Sequence, residues 1–311
     1  MFKQNILIRA DSSSFIGTGH IMRDLVLAKQ YKSENIIFAV RELDGNINYK
    51  IDEEGYSKVI LQTNDFEELD KKIKDLNIDM LVIDHYEINY DFEKRLKEEN
   101  KNLKIFVFDD TYEKHFCDIL LNHNISANEK RYENLVPNDC ELRCGSKYTL
   151  LRDEFLEAKK QNNSIKKDKK NKTIFIAMGG ADHSSINIDI LKVIKKVRKK
   201  NKKNIKINIV STNANKNLEK LKDYCKNKKW INLHINSKQI AKLMSESDFA
   251  IVTPSVTVNE VYYLELPIIA IKTAENQIDM YEFLKKHKYP VLNKFKKEKL
   301  KKALKKLLKE K

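Results

Sequence analysis

Glycine and proline are scarce in this chain, at 7 and 4 of 311 residues. So few turn formers exclude a low-complexity linker and a loop-rich β protein. Cysteine is sparse too, at 4. That number in a chain this long does not build a disulfide framework. No run of about 18 apolar residues occurs, so no membrane span is expected. Met1-Phe2-Lys3-Gln4 leads straight into a strand pattern, and no signal peptide is expected. These absences together predict a cytoplasmic protein. The phosphate loop G-x-x-x-x-G-K-[ST] is also missing.

What is present is charge, unevenly spread. Residues 1–155 hold 22 Lys+Arg and 30 Asp+Glu, a net of −8, which leaves +23 on the remainder of a chain whose net charge is +15. The basic half can attract a phosphate-bearing ligand, a nucleic acid or a membrane surface, or its lysines can simply solvate helix faces. Interleaved aromatic and basic residues, the mark of a stacking surface for nucleic acid, are lacking, so no nucleic-acid partner is expected. The hydrophobic share of 41% suffices for two domain cores.

Apolar runs at 5–10, 36–40, 80–84 and 104–108 read as buried strands, and helical patterns at 21–31, 65–76 and 89–100 lie between them. The alternation predicts a parallel sheet covered on both faces. It restarts with strands at 173–178, 206–210, 249–253 and 267–271 and helices at 185–197, 238–246 and 256–265. The expected fold is α/β, with two Rossmann-like doubly wound domains and a cleft between them. The expected bounds are 1–157 and 173–311, with the polar stretch 158–172 as linker. The tail places Leu300, Ala303, Leu304, Leu307 and Leu308 on one helical face, which either packs on the body or lies on a membrane surface.

Ligands of such sheets gather beyond the carboxyl ends of the strands. The first strand-end loop is DSSSFIGTGH, Asp11 to His20. Gly17-Thr18-Gly19 resembles the start of G-x-G-x-x-G, but Met22 stands where the third glycine belongs. Gly17 and Gly19 let the backbone approach a ligand closely. A helix start favours the neutral imidazole, so His20 reads as a candidate base, or else as a residue that caps the helix. Asp11 is a candidate to orient the imidazole or the attacking water. The second strand end carries Asp84, His85 and Tyr86, and the third Asp109 and Asp110. The two adjacent carboxylates are either half of a metal site or turn caps. Neither the spacing of His115 and Cys117 nor that of Cys140 and Cys144 suits structural zinc, and no metal or cofactor is expected. In the second half, Gly179-Gly180 follows a strand and can admit a phosphate to backbone amides. Ser255, Val256 and Thr257 open a helix in the same way, and Glu260 lies one turn on, where a carboxylate can accept from two sugar hydroxyls.

In order along the chain, RADSSSFIGTGHIMRDLVLAKQY, IDHYEI, CDILLN, ELRCGSKYTLLRDEF, AMGGAD, VNE and ENQ resemble one family. It is the UDP-2,4-diacetamido-2,4,6-trideoxy-β-L-altropyranose hydrolases of pseudaminic acid biosynthesis. The resemblance spans Ile6 to Asn276. It is also similar, more distantly, to the transferase that adds N-acetylglucosamine to the lipid precursor of peptidoglycan. It implies the glycosyltransferase-B architecture, a UDP-sugar substrate and no cofactor. It further implies His20 as general base, with Tyr86 and Asn276 in the active-site cleft; Asp11, Gly17 and Gly19 are expected beside the substrate from their place in the first strand-end loop. By resemblance to the wider transferase group, Ser255 and Thr257 would lie by the diphosphate and Glu260 would hold the ribose; Gly179, Gly180 and Val256 are expected at UDP from their strand-end and helix-start positions. The alternative within this architecture is a UDP-sugar glycosyltransferase. Oligomeric state is not legible.

Overall fold

Along Asn5–Ala10, alternation sends Ile6, Ile8 and Ala10 to one side of the sheet and Leu7 to the other, and all four are buried. A strand buried on both faces belongs inside a parallel sheet. In the computed structural model, which describes residues 3–162, 171–179, 182, 184–201 and 204–308, it is the third strand from one edge of the first of two compact units. The units are Met1–Leu151 and Arg152–Lys311.

The first unit runs β1 (Asn5–Ala10), α1 (Gly19–Ala28), β2 (Asn35–Arg41), α2 (Tyr49–Glu53), β3 (Ser57–Leu61), α3 (Phe66–Asp75), β4 (Met80–Asp84), α4 (Tyr90–Glu99), β5 (Lys104–Phe108), β6 (Ile119–Asn122) and β7 (Glu141–Cys144). Its strands are all parallel, in the order β3-β2-β1-β4-β5-β6-β7. Strand order reverses between β1 and β4, which makes a switch point where two loops part to opposite faces. Register puts Ala10 of β1 beside Asp84 of β4 at that point.

The second unit runs α5 (Asp153–Asn162), β8 (Asn171–Ala177), α6 (Asn187–Asn201), β9 (Asn204–Ser211), α7 (Leu218–Cys225), β10 (Ile231–Ile235), α8 (Ile240–Ser245), β11 (Phe249–Val252), α9 (Val256–Tyr263), β12 (Ile268–Ile271), α10 (Ile278–Lys286), β13 (Val291–Leu292) and α11 (Lys297–Leu307). It repeats the scheme, with parallel order β10-β9-β8-β11-β12-β13 and the switch between β8 and β11. The apolar stripe of the tail is buried: Leu300, Leu304 and Leu308 join Ile190, Ile194 and Val197 of α6 in one core.

The division between units differs from the expected one. Helix α5 continues to Asn162, so the expected linker is helical over 158–162, and β8 starts at Asn171. Residues 163–170 of that linker lie outside the described residues. Helix α5 belongs to the second unit because Phe155 and Ala158, three apart on one face, are buried where it packs on α8 and α9.

Candidate active site

The loop after β1 is tightly built. Ser13 and Gly17 exchange two backbone hydrogen bonds, of 3.2 and 2.8 Å. The Ser13 hydroxyl accepts from the amides of Phe15 and Ile16 at 3.2 and 2.9 Å. Gly17 takes φ +90°, a left-handed backbone that a side chain disfavours. A Cβ at Gly17 or Gly19 would meet nothing within 4 Å, so the space over both is open.

This loop delivers His20 as the second residue of α1, 9% exposed. Its Nδ1 lies 2.6 Å from Oδ1 of Asp84, the last residue of β4. Arg23, one turn along α1, donates from Nε to Asp84 Oδ2 at 2.6 Å and from Nη2 to Oδ1. Its Nη1 also approaches Asp110 at 3.5 Å, and the guanidinium sits over the Phe108 ring. Tyr86 meets the His20 ring edge-on, centroids 5.2 Å apart, and donates its hydroxyl to Asp110 at 3.0 Å. Burial would raise the Asp84 carboxyl, but the Arg23 guanidinium and hydrogen bonds from Arg23 and His20 outweigh it and hold it below the usual carboxylate range.

Asp11 does not orient His20. It is 1% exposed, and its two oxygens accept from Arg9 at 2.7 and 2.8 Å, from the Arg41 amide at 2.8 Å and Nε at 2.7 Å, and from His85 Nε2 at 3.0 Å. Arg9 is itself fully buried in β1, so the Asp11 carboxylate is the counter-charge that this guanidinium requires. The substrate contact expected of Asp11 therefore has no vacant oxygen to use. The residue that takes the orienting role is Asp84, which sequence reasoning placed at a strand end without assigning it, and Arg23 was missed. The signal for Arg23 was its spacing of three from His20, which puts both on one helix face. Of the other strand-end acids, Asp109 caps its own turn, accepting from the Thr111 and Tyr112 amides at 2.9 and 2.8 Å.

In the second unit, Gly179 (φ +77°), Thr257 and Glu260 line a cavity of about 300 Å³ together with Arg152, Ser211, Thr212, Asn236 and Ser237. Ser255 precedes α9 with an extended backbone and makes no side-chain cap; its hydroxyl lies 3.1 Å from that of Thr253. The first amides of α9 are thus not covered by a side chain of the N-cap, and Val256 at the helix start is 48% exposed. Glu260 accepts from Arg152 Nη2 at 3.0 Å, while Arg152 Nη1 pairs with Glu154 at 2.6 Å. Burial raises the Glu260 carboxyl to about 7 despite the neighbouring Arg152. Gly180 lies outside the described residues. Asn276 sits in an exposed turn, Glu275–Gln277, and does not line the cavity. Sequence reasoning missed Arg152, Ser211, Thr212, Asn236 and Ser237. Four of them lie at or just beyond the ends of β9 or β10, where the strand-end rule points.

Two parallel sheets of this order, each with its own switch point, define the glycosyltransferase-B class of architecture. Among solved structures, Acinetobacter baumannii MurG shares the fold at a TM-score of 0.66 and 12% identity, covering 98% of this chain and 91% of its own. Arabidopsis thaliana UGT89C1 complexed with UDP does so at 0.64 and 11%, covering 99% and 91%. No family model matches the chain. The chain is 41% identical over 290 residues, 93% of its length, to the UDP-2,4-diacetamido-2,4,6-trideoxy-β-L-altropyranose hydrolase of Campylobacter jejuni, of which 99% is covered. It belongs to that family of nucleotide-sugar hydrolases.

Proposed function

We propose that the protein hydrolyses a UDP-2,4-diacetamido-2,4,6-trideoxyhexose at the anomeric carbon. It releases UDP and 2,4-diacetamido-2,4,6-trideoxy-L-altrose for pseudaminic acid synthesis. Kinship with the Campylobacter enzyme supports the substrate. The observation that carries the chemistry is the 2.6 Å contact between His20 Nδ1 and Asp84. A carboxylate that accepts from Nδ1–H leaves the lone pair on Nε2, where it can take a proton from water. Asp84 then stabilises the imidazolium that forms, and Arg23 keeps Asp84 ionised.

The deprotonated water attacks opposite to UDP, which inverts the anomeric centre. The diphosphate leaves as an anion and needs no proton from the enzyme. Amides at the start of α9 and around Gly179 would stabilise its charge. Glu260 would accept from the ribose hydroxyls, and Tyr86 and Asn276 would contact the sugar.

The test is turnover of the UDP-sugar by purified protein in EDTA without an acceptor, followed through the anomeric proton by NMR. Release of UDP with an inverted free sugar supports the reading. Substrate that stays intact until an acceptor is added would make the protein a transferase.

A further inference from the structure

Asp24 is fully buried, one turn beyond His20 on the same face of α1. Among the described residues, neither of its carboxylate oxygens receives a hydrogen bond from a donor. An ionised carboxylate left so in an apolar interior costs several kcal/mol. Its interacting neighbour is a second carboxylate, that of Asp84. Two carboxylates that interact this closely hold together when one carries a proton and gives it to the other.

The surroundings decide which one. Asp84 receives His20 Nδ1 and two nitrogens of Arg23. Its Oδ1 takes two of those contacts and its Oδ2 one, which leaves Oδ2 an acceptor position to fill. Asp24 receives nothing. The charges facing the pair are few. Arg23 is already shared between Asp84 and Asp110. His123, which follows β6, is 2% exposed, and both its ring nitrogens lack a partner among the described residues. Burial, with Arg23 nearby, pushes its imidazole down to about 3, so it is neutral and supplies no cation. A third anion would have no counter-charge. Burial and then the Asp84 charge raise the Asp24 carboxyl well above its usual range, and Arg23 offsets this only in part.

We propose that Asp24 is a buried neutral acid that donates to Asp84 and completes the set of donors locking that carboxylate against His20. It is a positioning residue and touches no reacting atom. One turn of α1 thus supplies the imidazole, the guanidinium and the acid that surround a single carboxylate of β4. The proposal rests on the reading of His20 as the base.

Asparagine keeps a donor and no charge, so Asp24→Asn should retain kcat within a few-fold and leave the pH profile in place. Leucine removes the donor. Asp24→Leu should lower kcat about tenfold, the size of effect that an orienting partner commonly has, with KM unchanged. It should also displace the acid limb of kcat/KM, which a packing defect alone leaves where it was. If Asp24→Asn folds, binds UDP normally and is as inactive as His20→Ala, the ionised carboxylate is required and the proposal is overturned. Full activity with an unshifted profile in Asp24→Leu overturns it as well.

Should the leucine variant fail to fold, infrared spectroscopy of the unaltered protein still decides. At about pH 8, where free carboxyls are ionised, it should show a protonated carboxyl C=O band that Asp24→Asn lacks. Absence of that band refutes the neutral acid. Turnover surviving in His20→Ala would defeat the base assignment instead, and would leave the band untouched.

Discussion

The surroundings of His20 and those of Glu260 are built on opposite plans. Around His20 the charged groups are engaged by other side chains: Asp84 by Arg23 and the imidazole, Asp110 by Tyr86, and the nearby Asp11 by Arg9, Arg41 and His85. Around Glu260 the lining hydroxyls and amides face a cavity of about 300 Å³, and the N-cap of α9 covers no amide. A group that must move a proton is best fixed before the substrate arrives, because reorganisation adds to the barrier. A slot that must hold a nucleotide needs unsatisfied donors and acceptors, because the ligand satisfies them. The charge follows the same division, with −8 on residues 1–155 and +23 on the rest.

If the contrast is real, alterations in the first unit should strike turnover and alterations in the second should strike binding. His20→Ala is the hardest test. It should lower kcat by about a hundred- to ten-thousand-fold, as loss of a general base does, while UDP affinity by calorimetry stays unchanged. Asp84→Asn should follow. It loses the orienting carboxylate and leaves Arg23 short of its main partner, so kcat falls and stability to urea drops by about 3 kcal/mol. Glu260→Gln should reverse the pattern, raising KM by roughly ten- to a hundredfold through weakened charge-assisted bonds to the ribose, with kcat little altered.

The smallest effect concerns stability alone. Burial would lower the His115 pKa, but the nearby Asp109 and Glu93 carboxylates raise it from 6.5 to about 9. A folded value above the unfolded one stabilises fully below about pH 6.5, and the contribution fades as pH rises through 9. Urea unfolding of the first unit should weaken over that interval by at most about 3 kcal/mol, with no matching change in UDP affinity.

The architecture was legible because fully buried parallel strands such as Asn5–Ala10 and Met80–Asp84 announce themselves as apolar runs. Among the described residues, five strands escaped. Ile119–Asn122 is fully buried but only four residues long, and Ile231–Ile235 carries Asn232 and His234. The other three are of another kind. Ser57–Leu61 is only partly buried, Glu141–Cys144 mixes charge with cysteine at a sheet edge, and Val291–Leu292 is two residues long. Helix α5 was hidden by its acids, its lysines and Gln161, since only Phe155 and Ala158 mark its buried face. At the site, sequence pointed to His20 and the strand ends but paired the histidine with the wrong acid. Asp11 is near His20 in the chain, whereas Asp84 is 64 residues away and reaches it only through the pairing of β1 with β4.

The Arg152–Glu260 pair has a consequence for how the nucleotide is received. With its carboxyl near 7, Glu260 carries a proton in a sizeable fraction of free molecules at neutral pH. In the proposed contact a ribose diol donates to both carboxylate oxygens, which only the ionised form offers, so binding would favour loss of that proton. On the proposed reading, uptake of UDP would be an acid-releasing event. Its calorimetric heat should vary with the ionisation enthalpy of the buffer, and its affinity should rise as the solution becomes more alkaline through neutrality.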